Sequence, residues 1–142
     1  MDFQTITRDR VAALLREHGI TPTHQRIEIA YALFERGGHF SADQVLAIVN
    51  ARHAETSKAT VYNTLKLFLE RKLIREVVVD PSRVFYDANT RPHHHFYNVV
   101  TGELTDIPAE AIRVDELPPL PAGSVADGVD VVIRTRPASA ER

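Results

Sequence analysis

Three consecutive histidines stand inside the run Arg91-Pro92-His93-His94-His95-Phe96-Tyr97. Imidazole is the commonest protein metal ligand and titrates near neutral pH, so the triplet points first to metal binding. Alternate residues of a strand share a face, which sends His93 and His95 one way and His94 the other. Of the other histidines, His18, His24 and His53 read as surface or capping residues. His39 follows Gly37-Gly38, in an expected loop where a side chain can turn toward a neighbouring domain. Asp87 and Asp106 each close an expected strand. One metal site could draw on His39, Asp87, His95 and Asp106; the same four could equally be satisfied polar groups with no metal. The chain has no cysteine. That removes disulfides and thiolate zinc sites, and leaves a His and carboxylate donor set suited to Zn, Mn or Fe(II).

The elements before the triplet alternate helix and turn. Val11, Leu14 and Leu15 have helical spacing within residues 7–18, and Gly19 is a suitable C-terminal stop. Thr21-Pro22 predicts a fresh start, followed by a stripe of Ile27, Ala30, Tyr31 and Phe34 that Gly37-Gly38 ends. Ser41-Ala42-Asp43-Gln44 fits a capping box, opening a third helix with Ala42, Val45, Leu46 and Val49 inward. Ser57 opens a fourth, with Val61, Leu65, Phe68 and Leu69 on one face. The pattern then becomes β-branched from Leu73 to Val79, turns at Asp80-Pro81-Ser82, and returns from Arg83 to Asp87. Helices followed by a two-stranded hairpin are the order of a winged helix-turn-helix, in which the fourth helix enters the major groove. Its outward face would show Ala59, Tyr62, Asn63, Lys66 and Glu70. An amide suits adenine edges, whereas Lys58 and Lys66 suit phosphates.

Beyond the triplet, His94 to Val100 and Leu104 to Ile107 read as strands around Thr101-Gly102. Ala109 to Glu116 reads as a short helix, 117–124 as irregular, and Val125 to Thr135 as a final strand. The expected organisation is a winged-helix DNA-binding domain over 1–88, a hinge over 89–92, a dimerisation and metal-binding domain over 93–136, and a tail over 137–142. A second unit of this size buries little surface alone, so a homodimer is expected.

Composition is that of an ordinary globular chain: 142 residues, 44% hydrophobic, 25% charged and net charge −2. Residues 1–90 carry 12 basic and 11 acidic side chains, and residues 91–142 carry 5 and 8. Any DNA affinity must therefore come from a local basic patch. No run approaches the roughly 20 apolar residues of a membrane span, and the first residues do not resemble a secretory signal, so the expected location is cytoplasmic.

Residues 19–107 resemble the ferric uptake regulator (Fur) family. The carrying motifs are Gly19-Ile20-Thr21-Pro22-Thr23-His24-Gln25-Arg26, His39-Phe40-Ser41-Ala42-Asp43, Ala59-Thr60-Val61-Tyr62-Asn63-Thr64-Leu65 and the triple histidine. The Thr-Val-Tyr-Asn-Thr-Leu run, the aromatics after the triplet and the short second half are most similar to the iron response regulator (Irr) branch. The resemblance implies an α+β fold, with a winged helix-turn-helix domain ahead of a small α/β dimerisation domain. It also implies a homodimer on an AT-rich, pseudo-palindromic DNA operator, controlling iron homeostasis genes by repression or activation. The implied metal ligands are His39, Asp87, His95 and Asp106. His93 and His94 are substitutes for metal, or ligands for haem, which some relatives use.

The candidates for DNA contact are Arg26, Ser57, Lys58, Ala59, Thr60, Tyr62, Asn63 and Lys66. The family's other metal site takes an acid just after the triplet and a late histidine. Here Phe96 replaces the acid and no histidine follows His95. The alternative within the family is a sensor of zinc, manganese or peroxide. A winged helix that binds protein rather than DNA is a further class. So is a metal-dependent hydrolase, which needs an open coordination position and a general base. The chain has no His-Glu-x-x-His helix or nucleophile motif, and the expectation is that it is not an enzyme.

Overall fold

The computed structural model describes residues 6–52, 56–80, 82–91 and 93–139. His53, Pro81 and Pro92 lie outside that set, as do residues 140–142 of the expected tail. The chain divides into two compact units, residues 1–90 and 91–142.

The first unit runs α1 (Arg8–Glu17), α2 (His24–Arg36), β1 (His39–Phe40), α3 (Ala42–Arg52), α4 (Lys58–Glu70), β2 (Arg75–Asp80) and β3 (Arg83–Asp87). Each helix start has a chemical cause. Thr7 accepts from Arg10 N and caps α1. Ser41 and Gln44 form the expected reciprocal box, Gln44 N donating to Ser41 Oγ at 3.1 Å and Ser41 N to Gln44 Oε1 at 2.8 Å. Ser57 Oγ accepts from Thr60 N at 3.1 Å and caps α4. The cap of α2 is Thr23, not Thr21, because Thr23 Oγ1 accepts from Arg26 N. Thr21 stays outside the helix, its carbonyl taking Arg26 Nη1 at 2.9 Å.

The inward stripe of α2 also differs from expectation. Ile29, Ala30, Leu33 and Phe34 are buried, while Ile27 and Tyr31 are half-buried. This helix packs against α1, α3 and α4, so its buried surface is wider than one stripe. Val11, Leu15, Ile29, Leu33, Val45, Val61, Leu65 and Phe68 form the centre of the core. The three strands order β1-β3-β2, all antiparallel. The β2 strand begins at Arg75 rather than Leu73, because Leu73 and Ile74 are drawn into the helical core. Asp80 Oδ1 accepts from both Ser82 N and Ser82 Oγ, closing the hairpin turn. Those bonds hold the Asp80 carboxyl below its usual range.

The second unit is a small sheet ordered β5-β4-β6, formed by β4 (His93–Asn98), β5 (Leu104–Pro108) and β6 (Val132–Thr135). Strand β5 lies antiparallel to β4, and β6 parallel. The first strand stops at Asn98, whose Oδ1 accepts from Val100 N and Thr101 N and turns the chain. The expected helix over Ala109–Glu116 is a single 3-10 turn, Ala109–Ala111. No apolar stripe sustains it, since Arg113, Val114, Asp115 and Glu116 are all exposed, and prolines follow at 118 and 119. The last strand covers only 132–135 of the expected 125–135. Pairing with β4 starts where His95 N donates to Val131 O, and Val125, at 89% exposed, has no ladder to join.

Candidate metal centre and nucleic-acid interface

Strand register assembles a pair of candidate ligands in the first unit. The β1–β3 ladder sets His39 opposite Asp87, and His39 Nε2 lies 3.2 Å from Asp87 Oδ2. His39 was expected in a loop; it belongs instead to a two-residue strand that only its long-range partner reveals. Both side chains are buried. Asp87 Oδ1 accepts from Asn89 N at 2.8 Å, which fixes the carboxylate plane and leaves Oδ2 to His39.

The second unit assembles three more. The β4–β5 ladder pairs His95 with Asp106. Asp106 Oδ1 lies 3.5 Å from His95 Nε2 and 3.4 Å from His93 Nε2. The two rings meet edge to face with centroids 4.6 Å apart. His93, His95 and Asp106 thus each offer a ligand atom within 4.8 Å of the others. His93 Nδ1 lies 2.6 Å from Arg91 O. A carbonyl can only accept, so Nδ1 carries the hydrogen and a neutral ring presents the lone pair of Nε2. Nε2 faces the Asp106 carboxylate oxygen at 3.4 Å, so the two atoms could serve one cation together. A carbonyl on the far nitrogen is also how metal-binding histidines are commonly oriented. The donor set therefore fits a borderline or hard divalent ion. His93, a substitute by sequence, stands on the same carboxylate as His95.

His94 is placed differently. Its Nδ1 accepts from Val131 N at 3.0 Å, away from Asp106. Nothing about this buried, backbone-bonded ring favours haem.

The candidate DNA residues gather around α4. Ala59, Tyr62, Asn63 and Lys66 are exposed on the face opposite Val61, Leu65 and Phe68. Lys58 Nζ stands 5.7 Å from the Tyr62 ring and 3.7 Å from Asp43 Oδ1. Ser57 and Thr60 serve the helix start, their hydroxyl oxygens 2.9 Å apart. Arg26 braces the segment before α2. Sequence reasoning passed over Arg83, an exposed cation opening β3 beside the hairpin turn; its neighbouring turn residues were the available signal.

A four-helix unit ending in a short β-hairpin, followed by a small histidine-bearing sheet, defines a winged-helix protein with an appended metal-ligand module. The family model described as "Ferric uptake regulator family" matches residues 17–117, and the chain belongs to that family. Among curated relatives it is 30% identical over 94 residues to the peroxide-responsive repressor PerR of Staphylococcus epidermidis, covering 66% of this chain and 63% of that protein. It is 31% identical to PerR of Staphylococcus aureus over the same length, covering 64% of it. The chain thus spans less than two thirds of the curated relatives it matches. The fold is shared with the ferric uptake regulator of Francisella tularensis with iron: TM-score 0.69, 22% identity, 85% of this chain and 94% of that one. It is shared also with that of Pseudomonas aeruginosa with manganese: TM-score 0.67, 23% identity, 89% and 96%.

Proposed function

We propose that this chain is a metal-responsive, DNA-binding transcriptional regulator that acts as a homodimer and breaks no bond. The observation that carries the reading is that each of the two units builds an incomplete set of metal donors of its own. His39 and Asp87 belong to the unit that bears α4, while His93, His95 and Asp106 belong to the other. Two ligands are too few to hold an ion alone, and three leave coordination positions open. An ion that took ligands from both would fix the angle between the units and hence the spacing of two α4 helices in successive major grooves. Metal and operator would then strengthen each other by the same factor.

In this reading Tyr62 and Asn63 read bases, Ala59 allows close approach, and Lys58, Lys66 and Arg26 bind phosphates. Ser57 and Thr60 present the start of α4, where anions are favoured. The effector we favour is iron, in the manner of the iron response regulator branch, on the strength of the Thr-Val-Tyr-Asn-Thr-Leu and triple-histidine motifs. The PerR names of the curated relatives favour a second reading, peroxide. His and carboxylate donors alone do not separate iron, manganese and zinc.

The test is an operator-binding titration with Mn(II) or Fe(II), on wild type and His39→Ala. The substitution should abolish metal-dependent affinity while the circular dichroism spectrum survives. Unchanged metal stoichiometry and unchanged metal-dependent binding would sink the bridging site. Hydrogen peroxide then separates the two effectors. Lost DNA binding in the Fe(II) form alone supports the peroxide reading, and retained binding supports iron status.

A further inference from the structure

Only one face of β4 carries ligands. His93 and His95 meet Asp106 there. His94 takes the other face, buried, with Nδ1 accepting the Val131 amide across 37 positions of sequence. Val131 is held twice, because its carbonyl also accepts from His95 N at 3.1 Å. It is the residue immediately before β6. Beyond it the parallel register sets Ile133 beside Phe96. Side chains paired in a ladder point to the same side, and alternation puts Phe96 on the side of His94. Phe96 and Ile133 are each 40% exposed. The β6 strand is four residues long and, among the described residues, pairs with β4 alone.

We propose that His94 is a positioning residue rather than a ligand: it fastens the C-terminal strand to the ligand-bearing strand, so that metal on one face governs the order of β6 and of the Phe96–Ile133 pair on the other. A four-residue edge strand held on one side sits at the low end of local stability. Metal on His93, His95 and Asp106 removes freedom from β4 and β5. The His94 ring and the His95 amide carry that constraint to Val131, and linkage makes the effect reciprocal. The inference rests on the metal-bound dimer proposed above, in which a second copy of the chain would cover this apolar face. It gives the middle histidine of the triplet a task that ligation does not require.

The experiment follows amide hydrogen exchange at residues 131–135 with and without Mn(II), in wild type, His94→Ala and His94→Asn, without DNA. Asparagine places Oδ1 near the position of Nδ1 but offers nothing at Nε2. Mn(II) should slow exchange in wild type by about tenfold, the order expected of one hydrogen bond. His94→Ala should keep the Mn(II) stoichiometry and lose that protection, and its dimer should dissociate more readily. His94→Asn should restore protection with stoichiometry intact. Loss of Mn(II) in both variants would make His94 a ligand and overturn the proposal. Equal protection in all three proteins would overturn it too. Failure of operator binding with this pattern intact would fault the regulator reading instead.

Discussion

The two units keep different things inside. The interior of residues 1–90 is aliphatic and aromatic, with Phe68, Leu15, Ile29, Leu33 and Leu65 fully buried. One of its buried acids, Glu28, has a bidentate partner: Arg8 Nε donates to Oε2 at 2.6 Å and Nη2 to Oε1 at 3.1 Å. The interior of residues 91–142 is mostly imidazole. Among its described residues, His93, His94 and His95 are buried, with Tyr97 and Ile107 as the buried apolar side chains. Phe96, Val99, Val100, Leu117, Leu120 and Ile133 remain exposed. Apolar burial stabilises by area and asks for no ligand. Buried imidazoles add little unless something coordinates or bonds them. The first unit should therefore fold on its own core, and the second should draw its stability from metal and association.

The sharpest way to break that contrast is to damage the first core. Phe68 is fully buried on α4, beneath the proposed reading face. Phe68→Ala should cost about 3–5 kcal/mol from lost burial and the cavity left behind. Denaturant unfolding followed by helical circular dichroism should show that loss equally with and without Mn(II). If metal rescued the variant, the first unit would not be the independent partner described above.

Removing metal probes the other side. At a free concentration 100 times its dissociation constant, an ion that binds only the folded state adds about 2.7 kcal/mol. Chelation should therefore speed amide exchange most in β4 and β5, and much less around Val11, Leu33 and Leu65, whose apolar core is not built on the ion. Uniform acceleration across both units would show that one cooperative core governs the whole chain.

How much of this was legible depended on whether the cause was local. The Ser41–Gln44 box, the Ser57 cap and the alternation within the triplet lie within a few residues, and the sequence states them directly. Local chemistry also placed the hairpin turn at Asp80. The strand identity of His39 comes from a ladder to Asp87, 48 positions away, which no local pattern encodes. The short β6 has the same origin, since strand character in 125–135 exists only where β4 lies alongside. At α2 the sequence pointed to Thr21, whereas Thr23 makes the cap, and the Arg26 bond to the Thr21 carbonyl marks the segment that stays outside. The joint approach of His93 and His95 to Asp106 was half legible: alternation put both rings on one face, but the acid's register across β5 comes from pairing.

The smallest test concerns two helix ends that feed the same core. Gly19 closes α1 with φ +73, its N–H donating to Arg16 O at 3.0 Å while Ile20 N reaches Leu15 O at 2.8 Å. Lys72 closes α4 in the same way at φ 60, its N–H donating to Leu69 O at 3.0 Å while Leu73 N reaches Phe68 O at 2.9 Å. Both motifs turn an apolar residue, Ile20 or Leu73, into the first unit's interior. The left-handed backbone suits glycine and strains lysine. Lys72→Gly relieves that strain, and the greater freedom of glycine in the unfolded chain offsets part of the gain. A net stabilisation of about 0.5 kcal/mol is expected, with Gly19→Ala destabilising by about 1 kcal/mol. A Cβ at Gly19 would lie 2.8 Å from Arg71 Nη1, the far end of a flexible side chain, so strain at φ dominates there. Both changes should be the same with and without metal, because both act on the apolar core. If Lys72→Gly destabilised, the lysine would be held by an interaction worth more than its backbone strain.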